Sequence, residues 1–154
     1  MATVDLSKIV SSNSSFSSNC AVTTEVRVVK MADITAKKGS AAAASDVIQL
    51  FSVAKGDIIR SARCISKVKG TVTATFGDDG DVDGLIASID SSANAGAATG
   101  TTGAYLQAGT SPYAILGGKA YAADNTLDLV LGGTVAGTEE LIIIIERVSV
   151  AHLL

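Results

Sequence analysis

The chain has 154 residues, with twelve Lys and Arg against fifteen Asp and Glu and a net charge of −3. That length is one ordinary domain, able to bury about 70% of the surface its unfolded chain exposes without disulfide or metal support. Of 73 apolar residues 24 are Ala and only six are aromatic, so the interior must be built chiefly from 15 Val, 13 Ile and 11 Leu; with 17 Ser, 14 Thr, 15 Gly and one Pro, this composition favours strands and turns and excludes a helical bundle.

Met1 to about residue 20 reads as an N-terminal arm ahead of a single domain, 21–154. The amphipathic start Val4, Leu6, Ile9, Val10 is followed by the polar tract SSNSSFSSN, broken only by Phe16. Apolar residues ahead of a polar tether suit docking on a partner, and Val4, Leu6, Ile9 and Phe16 are the expected contacts. The segment lacks the apolar stretch of a secretory signal, so synthesis in a cytoplasm and free thiols at Cys20 and Cys64 are expected.

Glu25 to Met31 reads as a strand, Ser40 to Ser45 as a helical turn or tight connection, Asp46 to Val53 as a strand and Lys55-Gly56-Asp57 as a turn. Ile58 to Lys69 is a long strand, bent or bulged because its pattern is not clean. Thr71 to Phe76 alternates most clearly, with Val72, Ala74 and Phe76 on one face and three threonines on the other. An acidic turn from Gly77 to Gly84 leads to the strand Leu85 to Ile89. Ser91 to Gly118 then runs 28 residues without a charge, an extended loop with short strands near Ala104 to Gln107 and Tyr113 to Leu116. Thr126 to Leu131 alternates again, Leu127, Leu129 and Leu131 inward and Asp128 outward. Leu141 to Val150 begins apolar on both faces and reads as a central strand covered from both sides. About eight strands with little helix predict an all-β fold, a jelly roll or related antiparallel sandwich.

Charge is distributed unevenly. Residues 1–77 hold ten Lys and Arg against five acids, and residues 78–154 two against ten. Either strands of the two halves interleave so that opposite charges become neighbours, or a basic surface of one copy meets an acidic surface of the next.

Catalytic chemistry finds little support. The sole histidine, His152, is two residues from the C-terminus, neither cysteine has an evident imidazole partner, and no glycine-rich phosphate loop occurs. Asp79-Gly80-Asp81-Val82-Asp83-Gly84 fits an alternating carboxylate loop, which makes Asp79, Asp81 and Asp83 weak candidates for calcium. The flanks read as strands, and the twelfth position is Asp90 rather than a longer glutamate, so a solvated acidic connection with no metal is expected. Arg60, Arg63, Lys67 and Lys69 form a basic strip, but without aromatic platforms nearby and on an acidic chain it is not read as a nucleic-acid site. The run Leu141 to Ile145 is far short of the roughly 20 residues a membrane helix needs, and no membrane partner or cofactor is expected.

Four segments together carry a resemblance: MATVDLSKIVSSNSSFSS, DVIQLFSVAKGDII, TVTATFGDDGDVDGLIASID and YAADNTLDLVLGG before the apolar last strand. They resemble small virion proteins of tailed bacteriophages, of the capsid decoration, cement or head-fibre type. The resemblance implies a jelly roll, often trimeric, seated on the outside of the head with the major capsid protein as partner. The uncharged stretch, with Tyr105 and Tyr113 as anchors, is the expected contact between copies, because interface cores are depleted of charge and enriched in aromatics. A tail- or fibre-associated protein that recognises a host surface is the alternative, supported by Tyr105, Tyr113 and Tyr121.

Overall fold

The computed structural model of the chain describes residues 3–5, 22–68, 70–92, 118–133 and 135–149, and the backbone of 105–108. Among these, strands run in chain order as β1 (Thr3–Asp5), β2 (Val22–Lys30), β3 (Val47–Val53), β4 (Ile58–Val68), β5 (Thr73–Asp78), β6 (Asp81–Asp90), β7 (Tyr105–Ala108), β8 (Lys119–Ala120), β9 (Asn125–Leu131) and β10 (Glu140–Val148), with one helix, α1 (Met31–Lys38), after β2.

Two sheets form, ordered β1-β3-β9-β5-β6 and β2-β10-β4-β7, with β8 added beside β4. Apart from β1 and β8 the antiparallel pairs are nested: β2 with β10, β3 with β9, β4 with β7 and β5 with β6. Nesting of this kind is what one long hairpin produces when it is rolled so that successive pairs fall in alternate sheets. The fold is a jelly-roll sandwich, as the strand count and spacing predict.

Alternation makes the core. Val29 in β2, Ile59, Ala62 and Cys64 in β4 and Leu141, Ile143 and Ile145 in β10 meet Ile48, Phe51, Phe76, Leu127, Leu129 and Leu131 of the facing sheet, all buried. Val72, Ala74 and Phe76 are buried while Thr71 and Thr73 are exposed, and the three leucines of β9 point inward, as their patterns require. The irregularity expected in the long strand is found in β4. Its register against β10 skips Arg60 and Lys67, so each is the extra residue of a bulge. Cys64 is a free, buried thiol whose pKa burial pushes up to about 12, which makes it inert at neutral pH.

Four expectations need correction. Met31, read as the end of the first strand, instead starts the helix Met31–Lys38, and residues 40–46 form the tight connection that is one of their two readings. Asp33 in the first turn and Lys37 and Lys38 in the last suit the helix dipole, and Gly39, at φ 75°, ends it by returning its N–H to the Thr35 carbonyl at 3.0 Å. The acidic turn is far shorter than Gly77 to Gly84: β5 and β6 continue to Asp78 and from Asp81, leaving Asp79-Gly80 as the turn. Asp128 lies on the opposite face from the leucines but is buried, at 5% exposure. Finally, Thr3–Asp5, within the stretch read as an arm, forms an edge strand parallel to β3, with Val4 opposite Ile48 and buried in the core. Leu6, Ile9, Phe16 and Tyr113 lie outside the described residues.

Candidate interaction surfaces

The acidic hairpin is organised around Asp78. Its Oδ1 accepts the N–H groups of Gly80 (3.0 Å) and Asp81 (3.1 Å), closing the turn, while Oδ2 accepts the Tyr121 hydroxyl at 2.8 Å and pairs with Lys119 Nζ at 2.7 Å. Burial raises the pKa of this carboxyl, but the Lys119 and Tyr121 hydrogen bonds, the Lys119 charge and the Gly80 N–H outweigh it, and the net shift is downward. Lys119 therefore occupies the place a cation would take. The Asp81 carboxylate folds back over Gly84, while Asp79 and Asp83 are exposed. Among the described residues no three Asp, Glu, His or Cys side chains gather as a metal site.

Beside this hairpin Asp128 is in register with Gly77, whose missing side chain lets the backbone of Asp81 and Val82 fold close; a Cβ there would collide with both. Burial raises the Asp128 pKa first, the charges of Asp79 and Asp78 add to it, and a hydrogen bond from Thr126 opposes them. Its Oδ1 is buried without a hydrogen-bond partner. A carboxyl with a raised folded-state pKa stabilises the fold below its unfolded value, and that contribution is lost as pH rises through the folded value. Asp128→Asn is accordingly expected to stabilise the protein at pH 7 by about 1 kcal/mol, or about 2–4 °C in melting temperature, with the gain shrinking in acid. A variant that melts lower at neutral pH would show that the charge is compensated.

At one end of the sandwich the inward row of the second sheet changes from aliphatic to charged. Glu25 and Arg27 are each 8% exposed and Asp57 2%. Arg147 pairs with Glu25 and with Asp57 (3.3 Å) and donates to the Ser52 carbonyl at 2.8 Å; Arg27 lies 4.0 Å from Glu25, donates to the Leu50 carbonyl at 3.2 Å and sits 5.0 Å over the Phe51 ring. Two cations and two anions make a neutral closure of the core. Next to it lies an open depression of about 660 Å³ lined by Gln49, Ser52, Asp57, Asp124, Asn125 and Arg147, among other polar residues. Its lining residues include hydroxyls and carboxylates but no cysteine or histidine.

Two members of the basic strip of β4, Arg63 and Lys67, are paired within the chain, and Arg60 is exposed. Arg63 pairs with Glu146 at 3.0 Å, and Lys67 with Glu140 at 2.8 Å, the latter also 3.9 Å from Lys30. All three contacts join the basic first half to β10, which lies between β2 and β4. The uneven charge along the chain is thus offset by interleaved strands, the first of its two readings. Lys69 is outside the described residues. Exposed pairs of this kind add little to stability, so their effect is on surface charge.

Between these pairs the outward row of the second sheet is aliphatic. Ile142 is in register with Val28 and Ile65, and Ile144 with Val26 and Arg63. Val28 is 36% exposed, and Val26, Ile65, Ile142 and Ile144 are half-buried. β10 is central as expected, but its outward face is only partly covered. Sequence reasoning did not single out these residues, although the unbroken run Leu141 to Ile145 carried the signal: in a strand, every second residue of such a run faces away from the core. Of the tyrosines, Tyr121 is buried against Asp78, and Tyr105 lies in β7, in register with Ser66.

Comparison of the sequence with protein-family models and with curated proteins gives no match. Solved structures do match in fold. A chain from the capsid of Ralstonia phage GP4 superposes with a TM-score of 0.58 at 16% identity, covering 96% of this chain and 98% of that one. A chain from the capsid asymmetric unit of cyanophage Pam1 gives 0.50 at 13% identity, covering 92% of each. The protein is thus similar in fold, over almost its entire length, to chains of nearly its own size from two phage capsids.

Proposed function

We propose that the protein is a structural component of a phage virion that binds the outside of the capsid and bridges neighbouring copies of the major capsid protein, as a decoration or cement protein. The observation that carries this reading is the near end-to-end fold likeness to chains of similar length from two phage capsids. A small sandwich with polar rims suits an accessory subunit whose work is contact, and no catalytic activity is assigned to it. The protein is made in the host cytoplasm and acts as a homo-oligomer, a trimer in this reading, with Leu6, Ile9 and Phe16 of the N-terminal segment as attachment anchors. Because it binds the assembled lattice and not the dissociated subunit, each bound copy stabilises the lattice by mass action. Tyr121 is taken up inside the fold and offers nothing to the alternative of host-surface recognition.

Capsids lacking the protein, mixed with purified protein and sedimented, test the reading. The expected result is saturable binding, a higher capsid melting temperature and, in particle images, density outside the shell at three-fold or quasi-three-fold positions. Replacing Leu6, Ile9 and Phe16 together by serine is expected to lower occupancy. Absence of binding, or density confined to the tail, overturns the proposal.

A further inference from the structure

The two outer faces of the sandwich differ in chemistry. On the first sheet the outward rungs join Gln49, Asp128 and Gly77, Ser52 with Thr126, and Thr75 with Val130 and Val47, a largely polar surface. On the second sheet two adjacent rungs place Val26, Val28, Ile65, Ile142 and Ile144 side by side across β2, β10 and β4. An antiparallel sheet with one solvated face ordinarily alternates apolar inward and polar outward. Here the inward row cedes Glu25, Arg27 and Arg147 to charge while the outward row keeps its branched aliphatics, so core packing does not account for them.

We infer that this face is the contact between copies of the chain in the homo-oligomer. Its anatomy is that of an interface, an aliphatic centre closed at one end by Lys30, Glu140 and Lys67 and at the other by Arg63 and Glu146. The occupant follows from the rim. It carries cations and anions interspersed, three against two, and already paired, so two copies can exchange ion-pair partners across the contact, whereas a partner of uniform charge meets like charge on part of the rim. β7, which belongs to the uncharged stretch 91–118, is hydrogen-bonded to β4, with Leu106 in register with Ile65 and Ala108 with Arg63, so the sheet continues beyond the patch into a strand that carries no charge.

The inference rests on the oligomeric part of the proposed function and not on capsid binding, and light scattering of purified protein separates the two. Wild type at micromolar concentration is expected at a multiple of 15.5 kDa. Val28→Glu and Ile144→Lys are each expected to reduce the mass to 15.5 kDa, a threefold drop for a trimer, with the circular dichroism spectrum unchanged. Val82→Glu, at a site 49% exposed on the other sheet, is expected to leave the mass unaltered. Should Ile144→Lys fail to fold, Val28→Glu, at the most exposed position of the patch, decides. An oligomer that survives Val28→Glu intact overturns the inference while the oligomeric reading stands, and if that variant loses capsid binding instead, the face belongs to the capsid. A monomeric wild type overturns both, leaving capsid binding to its own test.

Discussion

Glu139→Ala is expected to destabilise the protein by about 2–4 kcal/mol. Glu139 is fully buried and joins three segments: its Oε1 accepts the Ala136 N–H at 2.9 Å and the Thr71 N–H at 3.1 Å, while its backbone carbonyl accepts the Met31 N–H at the start of α1, at 3.1 Å. Alanine removes the carboxylate but leaves two amide donors without their acceptor and opens a void against Gly70, where the Glu139 side chain now lies so close that a Cβ would collide with it. Burial raises the pKa of this carboxyl, but backbone N–H donation from the 136–139 turn and from Thr71 prevails and holds it below its ordinary value. A depressed folded-state pKa means that the stabilisation is present above the unfolded value, about 4.3, and is lost as pH falls through the folded one. Urea unfolding of wild type and of Glu139→Gln, which keeps an acceptor, should therefore differ by a constant amount near neutrality and converge below about pH 4. A Glu139→Ala variant within 0.5 kcal/mol of wild type, or a gap to Glu139→Gln that widens in acid, would contradict this account.

Phe76→Ala is expected to cost about 3–5 kcal/mol. Phe76 is fully buried in β5, in register with Leu129 of β9 and Ile86 of β6, and meets Phe51 edge to face with centroids 6.1 Å apart at 69°. The interior holds few rings and many short or β-branched side chains, which are stiff at χ1 and cannot swing into the space an aromatic ring leaves. Arg27, which lies over the Phe51 ring, would lose a firm platform as well. The measurement is the urea midpoint, which should fall with an unchanged slope. Phe76→Leu should recover more than half of the loss, because leucine refills most of the volume; equal costs for the two would mean that the site collapses around either.

The parts of this protein legible in the sequence are those where local pattern and tertiary environment agree. Val72, Ala74 and Phe76 against Thr71 and Thr73, and Leu127, Leu129 and Leu131 in β9, declare their faces by strict alternation, and strand spacing with sparse helix signals declared the sandwich. Eight-residue α1 was not visible, because two inward residues, Met31 and Ile34, make no period, and its position depends on the Met31 N–H finding the Glu139 carbonyl over a hundred residues away. Four alanines at 41–44 have helix propensity, but it amounts to tenths of a kcal/mol per residue. It yields to the Gly39 stop and to Asp46, which accepts the Ala43 N–H at 2.9 Å and pairs with Lys38 at 2.6 Å.

What the sequence determined by itself was the class of fold, the inward faces of its most regular strands and the charge imbalance between its halves, since each depends on residues close together in the chain or on counts. What only the tertiary structure decided was where each charge ends up. EVRVV in β2 alternates charge and valine and is compatible with either face inward; pairing with Leu141, Ile143 and Ile145 of β10 turned Glu25 and Arg27 into the core beside Val29, where Arg147 and Asp57 complete their neutralisation, and left Val26 and Val28 outside. In the same way Asp128, outward by alternation, became buried because Gly77 lets the next hairpin close over it. A strand's period specifies two faces but not which is wet, and that choice is made by the free energy of the whole sheet pairing, to which residues more than a hundred positions apart contribute.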